Sequence, residues 1–357
     1  MHCRTRITVR ELLAHTSGIA LSSGRRHFAD ADDSPEALER AVRSLGSERP
    51  VHAPGEAFQY SNANYQVLGA IIEAVSGKSY AAYVEQEVFR PLGMSHSFAD
   101  GRRAVVQGAA VGSRYWFGHP VPFPDAPSPR SLEPVGELYV SADDMGAYLS
   151  MLLEGGRHGS VRVLSEDATR ALFVSAATRR NGGGYALGWF TEKDAVSFAV
   201  WHDGSTPNFH AHVALDLPTH RAFALFVNAE TSLSDPPIRD LGFRIVSILR
   251  GERAEPVERS AVPLRLLALI VIAAVQLAGF ATWVRRSRVK RPGVARASIA
   301  IAVHLAFAAG LLFWVPRLER ATWRAILVFA PDAGWFLLAN AGIAVIWACA
   351  RAAALLR

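Results

Sequence analysis

Two hydrophobic patterns divide the chain. Up to about residue 250 apolar side chains recur in short periodic runs; beyond it they merge into long stretches. Thr8-Val9-Arg10-Glu11 fits a capping box, in which the threonine takes an orphan N–H and the glutamate reaches back. Leu12 to His15 continue that helix, and Thr16-Ser17-Gly18 ends it. Residues 20–56 are mixed and polar, with Asp30 to Pro35 opening a short helix that runs to about Leu45. After Asn62, apolar residues at Tyr65, Leu68, Ile71, Ile72 and Val75 keep helical spacing up to Gly77. A further helix runs from Ser79 through Tyr83, Val84 and Val88, and Pro91-Leu92-Gly93-Met94 breaks it. Residues 100–136 are rich in Gly and Pro and read as loop with short strands. Ser141 opens a helix with Met145, Tyr148, Leu149 and Leu152 on one face, closed by Gly155-Gly156; Ser165 caps one more.

From Tyr185 the period becomes strand-like. Tyr185–Phe190, Val196–Trp201, Asn208–Leu215 and Arg221–Val227 are short aromatic and apolar runs separated by polar turns, as in an antiparallel meander. A helix from about Pro236 to Arg250 follows, with Ile238, Leu241, Ile245 and Leu249 in register. Helices, then strands, then a helix predict an α+β domain over residues 1–250, an antiparallel sheet flanked by helices. Residues 251–263 are a short charged linker, and residues 264–357 a transmembrane region. Leu266–Val284 and Ala297–Val315 are each 19 residues without a charge, long enough to span a bilayer. A third candidate, 335–356, is weaker, because it carries Asn340 and Arg351; Arg351 lies near its end, where it can snorkel to the interface.

Charge separates the same two parts. Residues 1–250 hold 24 basic and 27 acidic side chains, net −3, whereas residues 251–357 hold 14 and 5, net +9. The basic excess therefore reflects membrane orientation and excludes a nucleic-acid surface. Arg285, Arg286, Arg288, Lys290, Arg291 and Arg296 lie between the first two spans with no acidic residue among them. That makes the segment cytoplasmic and places the preceding domain outside the cytoplasm, in a multi-pass protein of the cell membrane. The N-terminus has no apolar h-region. Cys3 and Cys349, at opposite ends, form no disulfide framework or CxxC site.

Candidate chemistry gathers at two places. Gln59-Tyr60-Ser61-Asn62 follows the turn Ala53-Pro54-Gly55 and leads into a helix, so polar groups are presented at a helix mouth. Tyr60 serves as a general base only if a neighbouring cation lowers its pKa, and Asn62 is placed to orient a substrate carbonyl. The local alternative is a capping turn with Ser61 or Asn62 as N-cap. The second place is His202-Asp203-Gly204-Ser205, where Gly204 admits close approach of a substrate and the Ser205 N–H is a candidate oxyanion donor. The local alternative there is a hairpin turn. His210 and His212 alternate on one strand face, and with His202 they raise a zinc reading. No acidic partner at a fixed offset supports it, and the sequence calls for no metal or cofactor. A GxSxG elbow, a Walker A loop, a GxGxxG fingerprint and an HExxH helix are absent.

Taken in order, several stretches resemble one family: serine hydrolases built like class C β-lactamases, penicillin-binding DD-peptidases and related esterases. These are Ile7 to Gly18, Pro54-Gly55 with Tyr60-Ser61-Asn62, Pro91-Leu92-Gly93-Met94, Gly136 to Met145, Leu187-Gly188-Trp189 and His202-Asp203-Gly204. The resemblance covers about Ile7 to Leu249 and implies a β-lactamase/DD-peptidase-like fold acting through an acyl-enzyme. It implies catalytic roles for Tyr60 and His202 and substrate-binding roles for Asn62, Gly204 and Ser205. His-x-Gly in place of the lysine motif of true β-lactamases implies an esterase, peptidase or amidase, and Asp203 stands where the family often has a small hydroxyl residue.

The family's nucleophile is the serine of a Ser-x-x-Lys motif. The sequence has three lysines, Lys78, Lys193 and Lys290, and its only Ser-x-x-Lys is Ser287 to Lys290, between two spans. The expectation is therefore an N-terminally truncated chain without nucleophile helix or first strands. Its sheet would have an unpaired edge, and it would be inactive as given toward a small-molecule, peptide or ester substrate. The alternative is a catalytically dead extracytoplasmic binding or regulatory domain on a membrane anchor. A small transporter is disfavoured, because the spans offer no buried charge pair.

Overall fold

The computed structural model describes residues 6–25, 32–123, 129–180, 182–192, 199–230, 238–254, 256, 264–287, 293–319 and 321–356. Cys3, Lys193, Lys290, Val196 to Phe198 and most of the expected linker lie outside them. The chain forms two compact units. One holds residues 1–113, 122–230 and 236–258, the other residues 114–121, 231–235 and 259–357.

In the first unit the sequence signals become elements with their caps. Helix α1 (Val9–Leu13) closes both bonds of its capping box, Thr8 N–H to Glu11 Oε2 at 2.7 Å and Glu11 N–H to Thr8 Oγ1 at 3.2 Å. Helix α2 (Ala37–Ser44) buries Ala37, Leu38 and Ala41. Helix α3 (Ala63–Ser76) ends where expected, at Gly77 with φ +67°, a left-handed stop that glycine adopts without steric cost. Helix α4 (Ala142–Leu153) starts from Ser141, whose hydroxyl accepts the Asp144 N–H. Within the stretch read as loop, Gly101–Val106 is helical, started by the Asp100 side chain accepting the Arg102 N–H.

The sheet has six strands: β1 (Ala177–Thr178), β2 (Gly184–Tyr185), β3 (Phe190–Thr191), β4 (Ala199–Ser205), β5 (His210–Asp216) and β6 (Arg221–Val227). Spatial order follows chain order, and every pairing is antiparallel. The expected single strand 185–190 is two strands, because Gly188 at φ +94° turns the chain between them and the Ala186 N–H bonds the Trp189 carbonyl at 2.8 Å. His202-Asp203-Gly204 is not a turn. It lies inside β4, and the reversal comes later, at Thr206 to Phe209.

Strand alternation gives β4 two faces. Val200, His202 and Gly204 share one with Val213, Leu215, Ala222 and Ala224, and this face packs on Leu149 and Leu152 of α4 in the main core. Trp201, Asp203 and Ser205 share the other, where Trp201 and Ala214 pack on Phe243 and Val246 of α5 (Ile238–Leu249). At one end of the sheet, the outer edge of β6 pairs with no strand among the described residues.

The second unit holds three helices long and apolar enough to cross a membrane: α6 (Leu264–Ser287), α7 (Val294–Glu319) and α9 (Pro331–Leu355), with short α8 (Trp323–Phe329) before the last. The span that reads weakest, α9, is the hub, packing against both α6 and α7 and burying the most surface. Its small residues Ala341, Ala344 and Ala348 are buried, and Asn340 is fully buried. The Asn340 amide donates to the Leu269 carbonyl and accepts from Gln276 Nε2 at 3.0 Å, so the polar residue joins helices instead of weakening a span. The Arg351 guanidinium lies 5.2 Å from the ring centres of both Trp283 and Trp347, a cation–π seat. Asn340→Leu is expected to cost about 1 kcal/mol of bundle stability, measured by denaturant titration in micelles. Stability equal to wild type would show that the polar contact contributes nothing.

Candidate active site

The Tyr60 segment is positioned by the turn that follows α1. The Gly55 N–H bonds the Thr16 carbonyl and the Gln59 N–H the His15 carbonyl, both at 2.8 Å. His15 is 1 % exposed, and its Nδ1 accepts the Ser61 N–H at 3.2 Å and the Asn64 amide at 2.9 Å. Asn64 in turn accepts the Ser17 hydroxyl at 2.5 Å. The Ser61 hydroxyl donates to the Ala20 carbonyl at 2.8 Å, so it is occupied in holding the loop. Two donors on Nδ1 fix the neutral tautomer with the proton on Nε2. Burial, and then the nearby His202, push the His15 pKa down to about 3. The imidazole lies against the Tyr60 ring, centroids 4.2 Å apart.

Of the two capping alternatives for this stretch, the structure takes Asn62 as the N-cap residue, not Ser61. Asn62 occupies the N-cap position of α3 but makes no capping hydrogen bond. Among the described residues its carboxamide and the Tyr60 hydroxyl have no hydrogen-bond partner. Gly24 packs on this helix start so closely that a Cβ there would lie 2.5 Å from the Asn62 nitrogen.

Tyr60 does not meet the condition for a base. Burial first, and then the Asp203 carboxylate, raise its pKa to about 12. At neutral pH it is a protonated phenol, able to donate a hydrogen bond.

His202 reaches the same place from β4. Its ring centre is 6.4 Å from that of Tyr60, and its Nε2 is 3.3 Å from the Tyr185 hydroxyl. Its Nδ1 donates to the Asp203 carbonyl at 2.6 Å, and burial lowers its pKa, leaving the ring neutral. Tyr185 is fully buried, and the neighbouring Tyr65 hydroxyl donates to the Leu13 carbonyl at 3.2 Å.

The register settles what β4 offers. The Thr206 N–H bonds the Phe209 carbonyl, so antiparallel alternation turns the Gly204 amide toward β5 and the Ser205 amide away from it. On that outer side β3 pairs only as far as Trp201, and from His202 to Ser205 the edge is open among the described residues. The Ser205 N–H is thus directed outward, as an oxyanion donor requires, while its side chain lies on the face opposite His202. A Cβ on Gly204 would touch only Ala211, at 3.7 Å, so the fold itself leaves room there.

Asp203 points away from His202, onto the α5 face. The structure supplies the acidic partner that spacing did not reveal, because Asp203 sits opposite His212 across the hairpin, Oδ1 to Nδ1 at 2.6 Å, and His210 Nε2 lies 3.9 Å away. Burial raises the Asp203 pKa, but hydrogen bonds from His210 and His212 outweigh it and hold the carboxyl down at about 2. His202 faces the other side of the sheet, so the three histidines of the zinc reading do not converge. His15, Asn64, Tyr65 and Tyr185 are site residues that spacing alone did not single out.

An antiparallel sheet sandwiched by helices, with a tyrosine-asparagine turn facing an open strand edge, defines a penicillin-recognising hydrolase type of fold. The chain belongs to the Beta-lactamase family, which residues 2–243 match. Protein flp of Staphylococcus aureus (strain MRSA252) is 26% identical over 242 residues, covering 68% of this chain and 47% of flp. The unguisins hydrolase ungD' of Aspergillus campestris is 26% identical over 243 residues, 64% of this chain and 43% of that protein. The chain thus spans about half the length of the curated relatives it matches. An octameric penicillin-binding protein homologue from Pyrococcus abyssi superposes with a TM-score of 0.57 at 24% identity, covering 75% of this chain and 60% of that one. A penicillin binding protein from Bacillus halodurans gives 0.56 at 22% identity, with 68% and 72% covered. Both show the same fold.

Proposed function

We propose that this chain carries the substrate-positioning half of a membrane-anchored, β-lactamase-family serine hydrolase of the esterase, peptidase or amidase type. One observation carries the reading: the Tyr60 ring, two residues before Asn62, lies 6.4 Å from neutral His202, the Tyr60 and Asn62 side chains having no hydrogen-bond partner among the described residues, with an open strand edge ending in an outward Ser205 amide. Asn62 orients the scissile carbonyl, and the Ser205 N–H stabilises the oxyanion. A serine oxygen adds to the carbonyl carbon, and the leaving amine or alcohol takes a proton relayed through the Tyr60 phenol. Water then releases the acyl group.

The serine is not among these residues. A phenol raised to about 12 does not deprotonate it, and the only Ser-x-x-Lys is Ser287 to Lys290, between two spans. On this reading the chain as given binds acyl substrates without being acylated. The Arg-rich segment between α6 and α7 is cytoplasmic, and the hydrolase domain faces outward. The same raised phenol favours a second reading, a binding or regulatory domain that never turns over.

The test is to expose full-length chain in micelles to a fluorescent penicillin, a fluorophosphonate and a panel of D-amino-acid amides and esters. The expected result is saturable, reversible binding that Asn62→Ala weakens at least tenfold, about 1.4 kcal/mol, with no covalent label. Covalent labelling of any serine in this chain would sink the claim that the nucleophile lies elsewhere. No binding by any of these ligands would sink the cleft assignment.

A further inference from the structure

A two-stranded hairpin, Ser113–Trp116 and His119–Pro122, interrupts the first unit, and residues 114–121 belong to the second unit, with the spanning helices. Its turn, Phe117-Gly118, has φ +52° and +81°, the two left-handed residues of a type I′ turn. Asn, Asp or Gly suits the first of these positions, and a bulky aromatic is strained there. The strain is held by a contact to a spanning helix. The Phe117 N–H donates to Asp332 Oδ2 at 3.1 Å, and its ring meets Phe336 edge-on at 5.7 Å. Asp332 lies in the first turn of α9, so the hairpin tip is level with the end of a span.

Two crossings, α6 and α7, precede α9, which therefore begins on the side of the membrane from which α6 started. The surroundings of that end have interfacial chemistry. Trp335 is exposed in the first turns of α9 and Trp314 near the end of α7, the two helices being joined only by the short segment containing α8. Phe117 and Val121 on the hairpin are 42% and 43% exposed. Aromatic side chains at the end of a span occupy the headgroup level of a bilayer. Pro120 and Pro122 remove two backbone donors from the hairpin's outer strand, which suits an edge that meets lipid rather than another strand.

We infer that the Tyr115 to Val121 hairpin tip is a membrane-interface anchor, seating Phe117 among lipid headgroups and the first acyl carbons on the side where α9 begins. The partner is the bilayer surface, and the strained turn serves to present the ring it carries.

Full-length chain with Cys3→Ser and Cys349→Ser, spin-labelled at Val121→Cys and reconstituted in phosphatidylcholine–phosphatidylglycerol nanodiscs, tests this. Accessibility to oxygen and to a water-soluble nickel chelate is compared with a label at Val106→Cys, an exposed position in the first unit. The expected result is severalfold lower chelate accessibility at Val121 than at Val106, with oxygen accessibility raised. Equal chelate accessibility at both sites would overturn the anchor. A label at His119→Cys repeats the measurement should the first variant fold poorly. Phe117→Gly removes both ring and strain, and the Val121 label is expected to move toward water. A label that stays shielded would show that Phe117 is not the anchor.

Discussion

On acidification from pH 6.5 to about pH 4, wild-type chain in micelles loses about 3 kcal/mol of stability relative to a His15→Asn variant. The imidazole has a folded-state pKa of about 3 against an ordinary 6.5. Below pH 6.5 the unfolded chain binds a proton that the folded chain refuses. The stability is therefore fully present above 6.5, and about 1.4 kcal/mol is lost per pH unit until the folded pKa is approached. The cause is physical: Nδ1 is occupied by two donors from the Tyr60 loop, and a charge at this depth has no water to solvate it. Asparagine places an oxygen near the Nδ1 position and cannot be protonated, so the variant keeps the acceptor and loses the titration.

Comparison with the variant is needed because other groups titrate in the same window. His202 acts in the same direction. Glu133, raised mainly by burial to about 7 from 4.5, acts in the opposite one, since the folded chain binds that proton first. Asp203, held at about 2, contributes stability above 3.8 that is lost only as the pH falls further, below most of the window. Denaturant midpoints across the pH range give both curves. Parallel curves would show that His15 titrates normally and is not the buried support of the Tyr60 turn.

Most helices were legible because their signals are local. Thr8, Ser141 and Ser165 start helices through their own hydroxyls, and Gly77 ends one through its own φ. Strand ends were less legible. Apolar period marked Arg221–Val227 to the residue, but the polar run His202 to Ser205 read as a turn although it is strand, because its partners lie across a hairpin. The turn carrying Tyr60 and Asn62 was legible because it opens a helix, where backbone grammar is local. His15 was hidden because its role depends on a neighbour 46 residues away, and Asp203 because its partner is set by register. The third span is the least apolar of the three, as its composition indicates, but its packing role was hidden for a related reason. A polar residue counts against a span by composition, yet Asn340 finds its partners on another helix.

Asp203→Ala is expected to destabilise the domain by about 3 kcal/mol, although the side chain never enters the cleft. His212 is fully buried between Trp201, Phe223 and Phe243, and its Nε2 has no hydrogen-bond partner among the described residues. Removing the carboxylate leaves the ring without its Nδ1 partner as well. The ring cannot move away, because Gly242 of α5 lies so close that a Cβ there would be 2.3 Å from it. A double-mutant cycle with His212→Phe separates this cost from simple truncation. Phenylalanine fills the aromatic slot without polar atoms, so once His212 is replaced the further loss of Asp203 should cost much less. Equal costs in both backgrounds would show that the pair is not coupled. A second readout reaches through the sheet to the cleft. The Asp203 charge helps to raise Tyr60, so Asp203→Asn is expected to move the phenol pKa down from about 12, followed by NMR of ring-labelled tyrosine. A phenol unmoved by that substitution would leave burial as the whole cause of its shift, and the back of β4 would then have no electrical bearing on Tyr60.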